Sequence, residues 1–299
     1  MHRARFFDVL LLWILLVLPA VSCSRRAPRR PSDRWITLAP SMTEVLYAVG
    51  AGKELAGVCA PADYPPAAAS IPVVASWEKV DIEAIVSSGA SACFTVNGMQ
   101  SPETLNTLRR LGLRVHSFPM ENLSDLYSGI LKVGALTGHP GQSRRVVERM
   151  RREILHMQNA HQGKSIPAVV VVGLDPLVAA GRGSFLNDAL SVVGLENKLA
   201  GKGAAYPAVS LEDLAVAGPK VVILSDDGIP KSRQRAFIER LNGLLKKPAV
   251  LISVPGDWLA RPGPRIVMAL QGLSSALRVR GKTLVDAAGP CRQSEGGKS

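Results

Sequence analysis

The residue types best suited to catalysis lack the spacing that catalysis needs. The sequence contains no P-loop, G-x-S-x-G or H-E-x-x-H pattern, and "GRGSF" (181–185) has the spacing of neither a nucleophile elbow nor a dinucleotide fingerprint. The five histidines are dispersed along the chain: His2, His116, His139, His156 and His161. We therefore expect no catalytic residues, no metal site and no resident cofactor, as in a protein that is not an enzyme.

Aromatic residues point instead to ligand binding. Four of them lie in turn-rich segments: Tyr64, Trp77, Tyr206 and Trp258. In parallel α/β sheets, ligands bind outside the carboxyl ends of the strands, where such loops gather. Aromatic side chains with a polar atom suit a large, flat, partly apolar ligand, although a loop tryptophan can equally pack on its own lobe. Asp257 and Arg261 bracket Trp258 and either bind the ligand or pair with each other.

Two glutamates recur at equivalent places in similar segments. "SWEKVDIEAIV" (76–86) aligns with "AYPAVSLEDLA" (205–215), which places Glu83 on Glu212. Each falls in the first turn of an expected helix, where an acid complements the helix dipole. Two outward carboxylates on two related lobes also suit docking onto a partner with two basic pockets. Both interpretations stay open at this point.

The helices that carry these glutamates have clear start signals. Asp81 and Ser210 are suitable N-cap residues, and Asp213 extends the second to a capping box. Two apolar sets lie on one face of their helices and are expected to pack against the lobes: Ile82, Ile85 and Val86, and Leu211, Leu214 and Ala215.

Short apolar runs alternate with helical patterns along the chain. The expected strands are "WITLA", "ELAGVCA", "SACFTV" and "LRVHSF" in the first half, and "PAVVVVG", "KVVILSD" and "AVLISV" in the second. The intervening segments in the first half predict helices, with Ser41 and Ser101 as N-caps. This alternation predicts an α/β protein with two Rossmann-like lobes built on parallel sheets.

One long helix joins the two halves. Residues 142–162 contain no glycine or proline, and their apolar positions recur at helical spacing. The halves also resemble each other, since 44–57 aligns with 188–201 without a gap. They are therefore interpreted as a diverged duplication. The first copy has an insertion at 58–76, which is Pro-rich and is expected to be a loop.

The N-terminus resembles an export signal. Arg3 and Arg5 precede an uncharged apolar run, Val9–Leu18, that is too short to span a bilayer, and "LPAVSC" follows with small residues before Cys23. We expect Cys23 to be acylated, in an exported protein that is periplasmic or at the cell surface and membrane-anchored. Conventional cleavage to a soluble exported protein is the alternative.

The formal net charge is +12, with an arginine-rich stretch just after Cys23 and only 5% aromatic residues. This distribution does not indicate nucleic-acid binding. The stretch is either a tether drawn to anionic lipid or a solvated linker. The state of Cys59, Cys93 and Cys291 stays open.

Taken in order, several motifs resemble the substrate-binding proteins of ABC importers, in the rigid-helix class for vitamin B12, haem and iron–siderophores. They are "ITLAPSMTEVLYAVG", "DYPP" followed by "SW", "VDIEAIV", "YPAVSLEDL" and "DWLARPGPRI". The likeness covers about residues 34–280 and is greatest to members that bind vitamin B12. It departs from the family at "GASA" (89–92), where a Lys-Pro-Asp is usual.

The resemblance implies a non-enzymatic monomer that holds its ligand between two lobes and passes it to a membrane permease driven by a separate ATPase. It implies that Glu83 and Glu212 meet permease arginines. The implied ligand-binding residues are Ser41, Met42, Thr43, Tyr64, Trp77, Asn97, Gly98, Tyr206, Asp257, Trp258 and Arg261.

The expected ligand is a corrinoid. The alternatives are haem, with Tyr64 or Tyr206 as axial ligand, a ferric siderophore held by Arg182 or Arg261, and, more distantly, a lipid-anchored two-lobed enzyme. The expected organisation is a signal peptide (1–22), a lipid-anchored tether (23–33), an N-terminal lobe (34–140), a connecting helix (141–163), a C-terminal lobe (164–285) and a disordered tail (286–299).

Overall fold

The computed structural model describes residues 33–163, 165–226 and 228–286. The predicted signal peptide, the tether apart from Asp33, the tail apart from Asp286, and the residues Cys23 and Cys291 lie outside the described residues. Along the described chain, two α/β lobes follow one another, as the alternating pattern predicts.

The first lobe is built on a five-stranded sheet in which every pairing is parallel, in the order β3-β2-β1-β4-β5. Its strands are β1 (Trp35–Thr37), β2 (Leu55–Cys59), β3 (Val73–Ala75), β4 (Ala92–Val96) and β5 (Arg114–Phe118). The four predicted strands are confirmed. The prediction of a loop over 58–76 was wrong in part, because β2 ends inside that segment and β3 adds an edge strand to the sheet.

Four helices cover this sheet: α1 (Pro40–Ala48), α2 (Ile82–Ser87), α3 (Pro102–Arg110) and α4 (Leu123–Leu136). Short 3₁₀ turns occur at Gly52–Glu54 and Pro66–Ser70. Asp81 and Ser101 cap their helices, each accepting a backbone N–H through its side chain. Ser41 does not, because α1 begins two residues earlier than predicted, with Ala39 as N-cap and Pro40 in its first turn.

The connecting helix is α5 (Pro140–Ala160), 21 residues long, or about 30 Å at 1.5 Å per residue. Its apolar positions recur at helical spacing and are all buried: Val146, Val147, Met150, Ile154 and Met157. The charged residues between them face solvent, so one stripe of the helix supports both lobes.

The second lobe repeats the plan with β6 (Ile166–Leu174), β7 (Leu177–Ala179), β8 (Leu195–Asn197), β9 (Val221–Asp226) and β10 (Val250–Pro255). Its helices are α6 (Phe185–Ser191), α7 (Leu211–Ala217), α8 (Lys231–Leu244), α9 (Gly256–Ala260) and α10 (Ile266–Asp286). The sheet order is β10-β9-β6-β7, with β8 also on β6. Among the described strands of this sheet only β7 is antiparallel, because it folds back on β6 through a tight turn at Asp175–Pro176.

Of three apolar core clusters among the described residues, one runs through both lobes. It includes Phe94 from the first sheet, Met150 from α5, and Val170 and Ile252 from the second sheet. A polar contact crosses the same junction, since the backbone N–H of Leu123 donates to the Asp188 carboxylate at 2.8 Å. The lobes therefore share packing rather than meeting through a flexible linker.

Candidate functional site

A cavity of about 680 Å³ lies between the lobes. Seven of the predicted ligand-binding residues line it: Ser41, Trp77, Asn97, Gly98, Tyr206, Asp257 and Arg261. They come from both halves of the chain, so the cavity depends on the arrangement of the two lobes and not on either lobe alone.

The carboxyl ends of the strands supply most of the cavity wall. Ser41 lies in the first turn of α1, just after β1, while Trp77 follows β3 and Asp257 follows β10. Asn97 and Gly98 follow β4, where Gly98 adopts φ 78°, a left-handed conformation that favours glycine. The Asn97 Oδ1 atom accepts a hydrogen bond from Ser117 on β5 at 2.6 Å, which fixes its side chain.

Four of the predicted residues do not line this cavity. Met42 and Thr43 are 0% and 1% exposed. Met42 packs in the core, and the Thr43 hydroxyl lies 2.7 Å from that of Thr37. Successive positions on α1 point about 100° apart, so Ser41, although only 4% exposed, lines the cavity while Met42 and Thr43 point into the protein.

Tyr64 and Trp258 also lie elsewhere. Tyr64 belongs to a neighbouring groove, where the Arg265 guanidinium carbon sits 4.3 Å from the centre of its ring. Trp258 packs against the shared core from α9. Trp258 therefore follows the alternative considered for these tryptophans, in which the side chain packs on the protein itself. Trp77 instead is 79% exposed at the cavity wall.

Sequence reasoning missed much of the apolar wall. These residues include Pro40, Pro61, Val96, Met99, Met120, Phe185 and Pro262. Position at a strand's carboxyl end was the available signal for Val96, Met99 and Met120, and it was overlooked because aliphatic and thioether side chains look like core residues in a sequence. The wall is therefore largely apolar, with a few polar groups.

Five charged side chains meet beside the cavity and form what we call the interlobe ionic cluster: Glu44, Asp63, Asp257, Arg261 and Arg265. Arg261 Nη1 lies 3.3 Å from Glu44 Oε1 and 2.5 Å from Asp63 Oδ1. Arg261 Nη2 lies 3.3 Å from Asp63 Oδ2 and 2.6 Å from Asp257 Oδ1. Arg265 donates through Nε to Glu44 Oε2 at 2.8 Å and through Nη2 to Glu44 Oε1.

The cluster separates the pKa values of two neighbouring carboxyl groups. The hydrogen bond from Arg261 lowers the pKa of Asp63, whereas burial raises the pKa of Asp257, with the nearby Asp63 charge adding to the rise. Glu44 and Asp63 belong to the first lobe, and the other three residues to the second. Of the two alternatives left open for Asp257 and Arg261, pairing with each other is present as a 2.6 Å ion pair, and both residues also line the cavity.

Glu83 and Glu212 lie on exposed first turns of α2 and α7. The predicted capping box is present, with Ser210 and Asp213 each accepting the other's backbone N–H. Ile85 and Leu214 hold the two helices to their lobes. The prediction for Val86 was wrong, because this side chain is 55% exposed at the end of a six-residue helix.

Other features of the described residues bear on chemistry. Cys59 and Cys93 are buried free thiols, and burial raises their pKa values to about 11 and about 12. Within the described ranges, no group of three or more His, Cys, Asp or Glu side chains is arranged to hold a metal ion. None of the described helices combines the length and apolarity needed to cross a membrane.

Two α/β lobes joined by one long helix, with a largely apolar cavity between them, define a bilobed ligand-binding protein. The sequence profile of the family described as "Periplasmic binding protein" matches residues 36–250, which is more than two thirds of the chain. The chain belongs to this family, and membership implies export to the periplasm.

Known proteins share both sequence and fold with the chain. A vitamin B12-binding protein of Yersinia pseudotuberculosis serotype O:1b (strain IP 31758) is 28% identical over 267 residues, covering 89% of this chain and 90% of that protein. The periplasmic vitamin B12 binding protein BtuF of Vibrio cholerae superimposes with a TM-score of 0.72 at 24% identity, covering 84% of this chain and 99% of that one. The periplasmic heme binding protein HutB of Vibrio cholerae gives a TM-score of 0.72 at 18% identity, with coverages of 82% and 99%.

Proposed function

We propose that this protein captures a corrinoid between its lobes and delivers it to the permease of an ABC importer. The observation that carries the proposal is the interlobe cavity of about 680 Å³, which is lined mainly by apolar side chains and a few polar ones. The relative from Yersinia, named for vitamin B12, supports this ligand class. In this scheme the chain catalyses no reaction, and a separate ATPase supplies the energy for transport.

A second candidate ligand is haem, and a specific observation favours it. Tyr206, Met99 and Met120 line the cavity, and phenolate and thioether groups are both known axial ligands of haem iron. The likeness to HutB adds to this reading. Of the two tyrosines considered from the sequence, Tyr64 lies outside the cavity and Tyr206 remains.

A ferric siderophore fits the arginines of the site less well. Arg182 donates through Nε to the Ala200 carbonyl at 3.1 Å and does not line the cavity. The terminal nitrogens of Arg261 are engaged by carboxylates. An anionic siderophore would therefore have to displace existing ion pairs in order to bind Arg261.

Calorimetric titration with cyanocobalamin, haemin and a ferric siderophore tests the ligand. We expect saturable binding of cyanocobalamin, weakened about tenfold or more by Trp77→Ala, since aromatic side chains contribute large contact areas. Val216→Ala is the matched control, because Val216 is 89% exposed on α7 and does not line the cavity. Binding of haemin without binding of cyanocobalamin would replace the corrinoid by haem.

We also propose that Glu83 and Glu212 dock the protein onto two basic sites of the permease. Both are exposed first-turn residues on short helices, one in each lobe. The double variant Glu83→Ala with Glu212→Ala should abolish uptake and leave ligand affinity unchanged. Glu103→Ala is the control, because Glu103 occupies the first turn of α3 and shares only the dipole role. A loss of affinity in the double variant would assign these glutamates to the site or the fold.

We also propose that the exported protein is a monomer and that acylation of Cys23 anchors it to a membrane. The support is the sequence "LPAVSC", in which small residues precede the cysteine. Mass spectrometry of the mature N-terminus distinguishes a lipid-modified Cys23 from conventional cleavage.

A further inference from the structure

The arginine at the cavity wall has little capacity left to bind an anion. The terminal nitrogens of Arg261 carry four N–H groups in all. They meet four carboxylate oxygens, one from Glu44, two from Asp63 and one from Asp257, at 2.5–3.3 Å. An anionic ligand group would have to compete with one of these ion pairs.

Two carboxylates of the interlobe ionic cluster, those of Asp63 and Asp257, are more accessible than its guanidinium groups. The side chains of Asp63 and Asp257 are 50% and 39% exposed, whereas those of Arg261 and Arg265 are 8% and 9% exposed. Three carboxylates face two guanidinium groups, so the cluster has one net negative charge when all five are ionised. The charged residues of the cavity wall are Glu121, Asp257 and Arg261, which gives the same sign.

From this arrangement we infer that the cluster selects the ligand by charge. The wall at Asp257 accepts hydrogen bonds from uncharged donors such as carboxamides and disfavours carboxylates. The inference rests on the proposed function and deepens it, because amide-bearing macrocycles then fit the cavity better than acid-bearing ones. It predicts that, among ligands built on the same macrocycle, uncharged amides or esters bind more tightly than acids. This preference does not depend on which metal the macrocycle carries.

Glu44 is the positioning residue in this arrangement. Its carboxylate is 1% exposed and contacts both arginines from α1 of the first lobe. It holds Arg261 against Asp63 and Asp257, so that the arginine's charge is neutralised before a ligand arrives. Selection therefore depends on the two lobes being joined at this cluster.

The test compares ligands that differ only by an amide or ester against an acid. Cyanocobalamin is titrated beside the monocarboxylic acid made by hydrolysing one of its propionamides, and haemin dimethyl ester is titrated beside haemin, all at pH 7.5. For whichever macrocycle binds, we expect the acid to bind at least about tenfold more weakly than its neutral counterpart. The reason is that the carboxylate of the ligand and the Asp257 carboxylate repel each other across a contact that is only partly solvated. The variant Asp257→Asn keeps the shape of the side chain and an acceptor oxygen for Arg261. It should reduce the ratio of the acid's Kd to the neutral ligand's Kd severalfold.

Glu239→Gln is the matched control, because it removes one exposed carboxylate from α8 outside the cavity and should leave the ratio unchanged. Equal or tighter binding of the acid by the unmodified protein would overturn the inference and leave the binding role intact. An unchanged ratio in Asp257→Asn would also overturn it, because Asp257 would then not set the preference. If no macrocycle of either pair bound, the proposed function would fail and the inference with it.

Discussion

Replacing Glu44 by alanine removes the one carboxylate that contacts both arginines of the interlobe ionic cluster. Its side chain is 1% exposed, and those of Arg261 and Arg265 are 8% and 9% exposed. Removing one member of a buried ion pair typically costs about 3–5 kcal/mol, because the remaining charge stays desolvated without its partner. The cost should therefore be far larger than for a surface ion pair.

The contacts that remain in Glu44→Ala determine where within the range of about 3–5 kcal/mol the loss of unfolding free energy falls. Arg261 keeps its contacts with Asp63 and Asp257, so its charge stays compensated. Arg265 loses both of its hydrogen bonds to Glu44 and keeps its position over the ring of Tyr64. We therefore expect the lower part of the range, about 3 kcal/mol of unfolding free energy. For a chain of this size that is a fall of roughly 5 °C in Tm.

Denaturant titration with circular dichroism measures the change. Glu239→Ala is the control and should stay within about 0.5 kcal/mol, because Glu239 is exposed on α8. Glu44→Met combined with Arg265→Met should cost less than the sum of the two single variants, since apolar replacement of both partners avoids an unpaired charge. A loss below about 1 kcal/mol for Glu44→Ala, or strict additivity in the pair, would refute the view that these charges are coupled in the folded protein.

Four further outcomes follow from local contacts. Asp81→Ala and Ser210→Ala should each destabilise by about 1 kcal/mol, seen as faster amide exchange in α2 or α7, because each removes the side-chain acceptor of a helix N-terminus. Phe94→Ala should cost about 3–5 kcal/mol in denaturant titration, because the ring is 1% exposed in the shared core. Cys59 and Cys93, with pKa values raised to about 11 and about 12, should resist alkylation at pH 8 until the protein is unfolded, as mass spectrometry of their peptides would show. Since the folded protein keeps these protons above pH about 9, where unfolded thiols lose theirs, unfolding free energy should fall as the pH rises from about 9 towards 12.

The strands and long helices could be predicted because their signals are local. Runs such as "VVVV" in β6 and the regular apolar spacing of α5 carry their own evidence of burial. The short strands β3 and β7 carry no such signal. Each is three residues long, and each owes its conformation to pairing with a longer neighbour in the sheet.

The site was predictable as a region but not residue by residue. Proximity to the end of β1 singles out residues 41–43, yet the phase of α1 turns Ser41 to the cavity and Met42 and Thr43 to the interior. The partnership of Glu44 with Arg265 spans 221 positions in the sequence. This ion pair forms only when the two lobes have packed together, so the sequence around either residue carries no local signal that predicts it.

The same junction limits how the lobes can move. The shared core joins both sheets through α5, and the interlobe ionic cluster crosses the junction beside the cavity. A wide hinge motion would expose that core and separate Glu44 from Arg261 and Arg265, at the cost of buried apolar area and of desolvated charges left without partners. Closure on a ligand must therefore be small. Because closure is small, the distance between Glu83 and Glu212 stays nearly constant. A permease that binds these glutamates at two fixed basic sites would therefore bind the loaded and the empty form equally well. Discrimination between the two forms would then have to come from the loops around the cavity, where Trp77 is exposed.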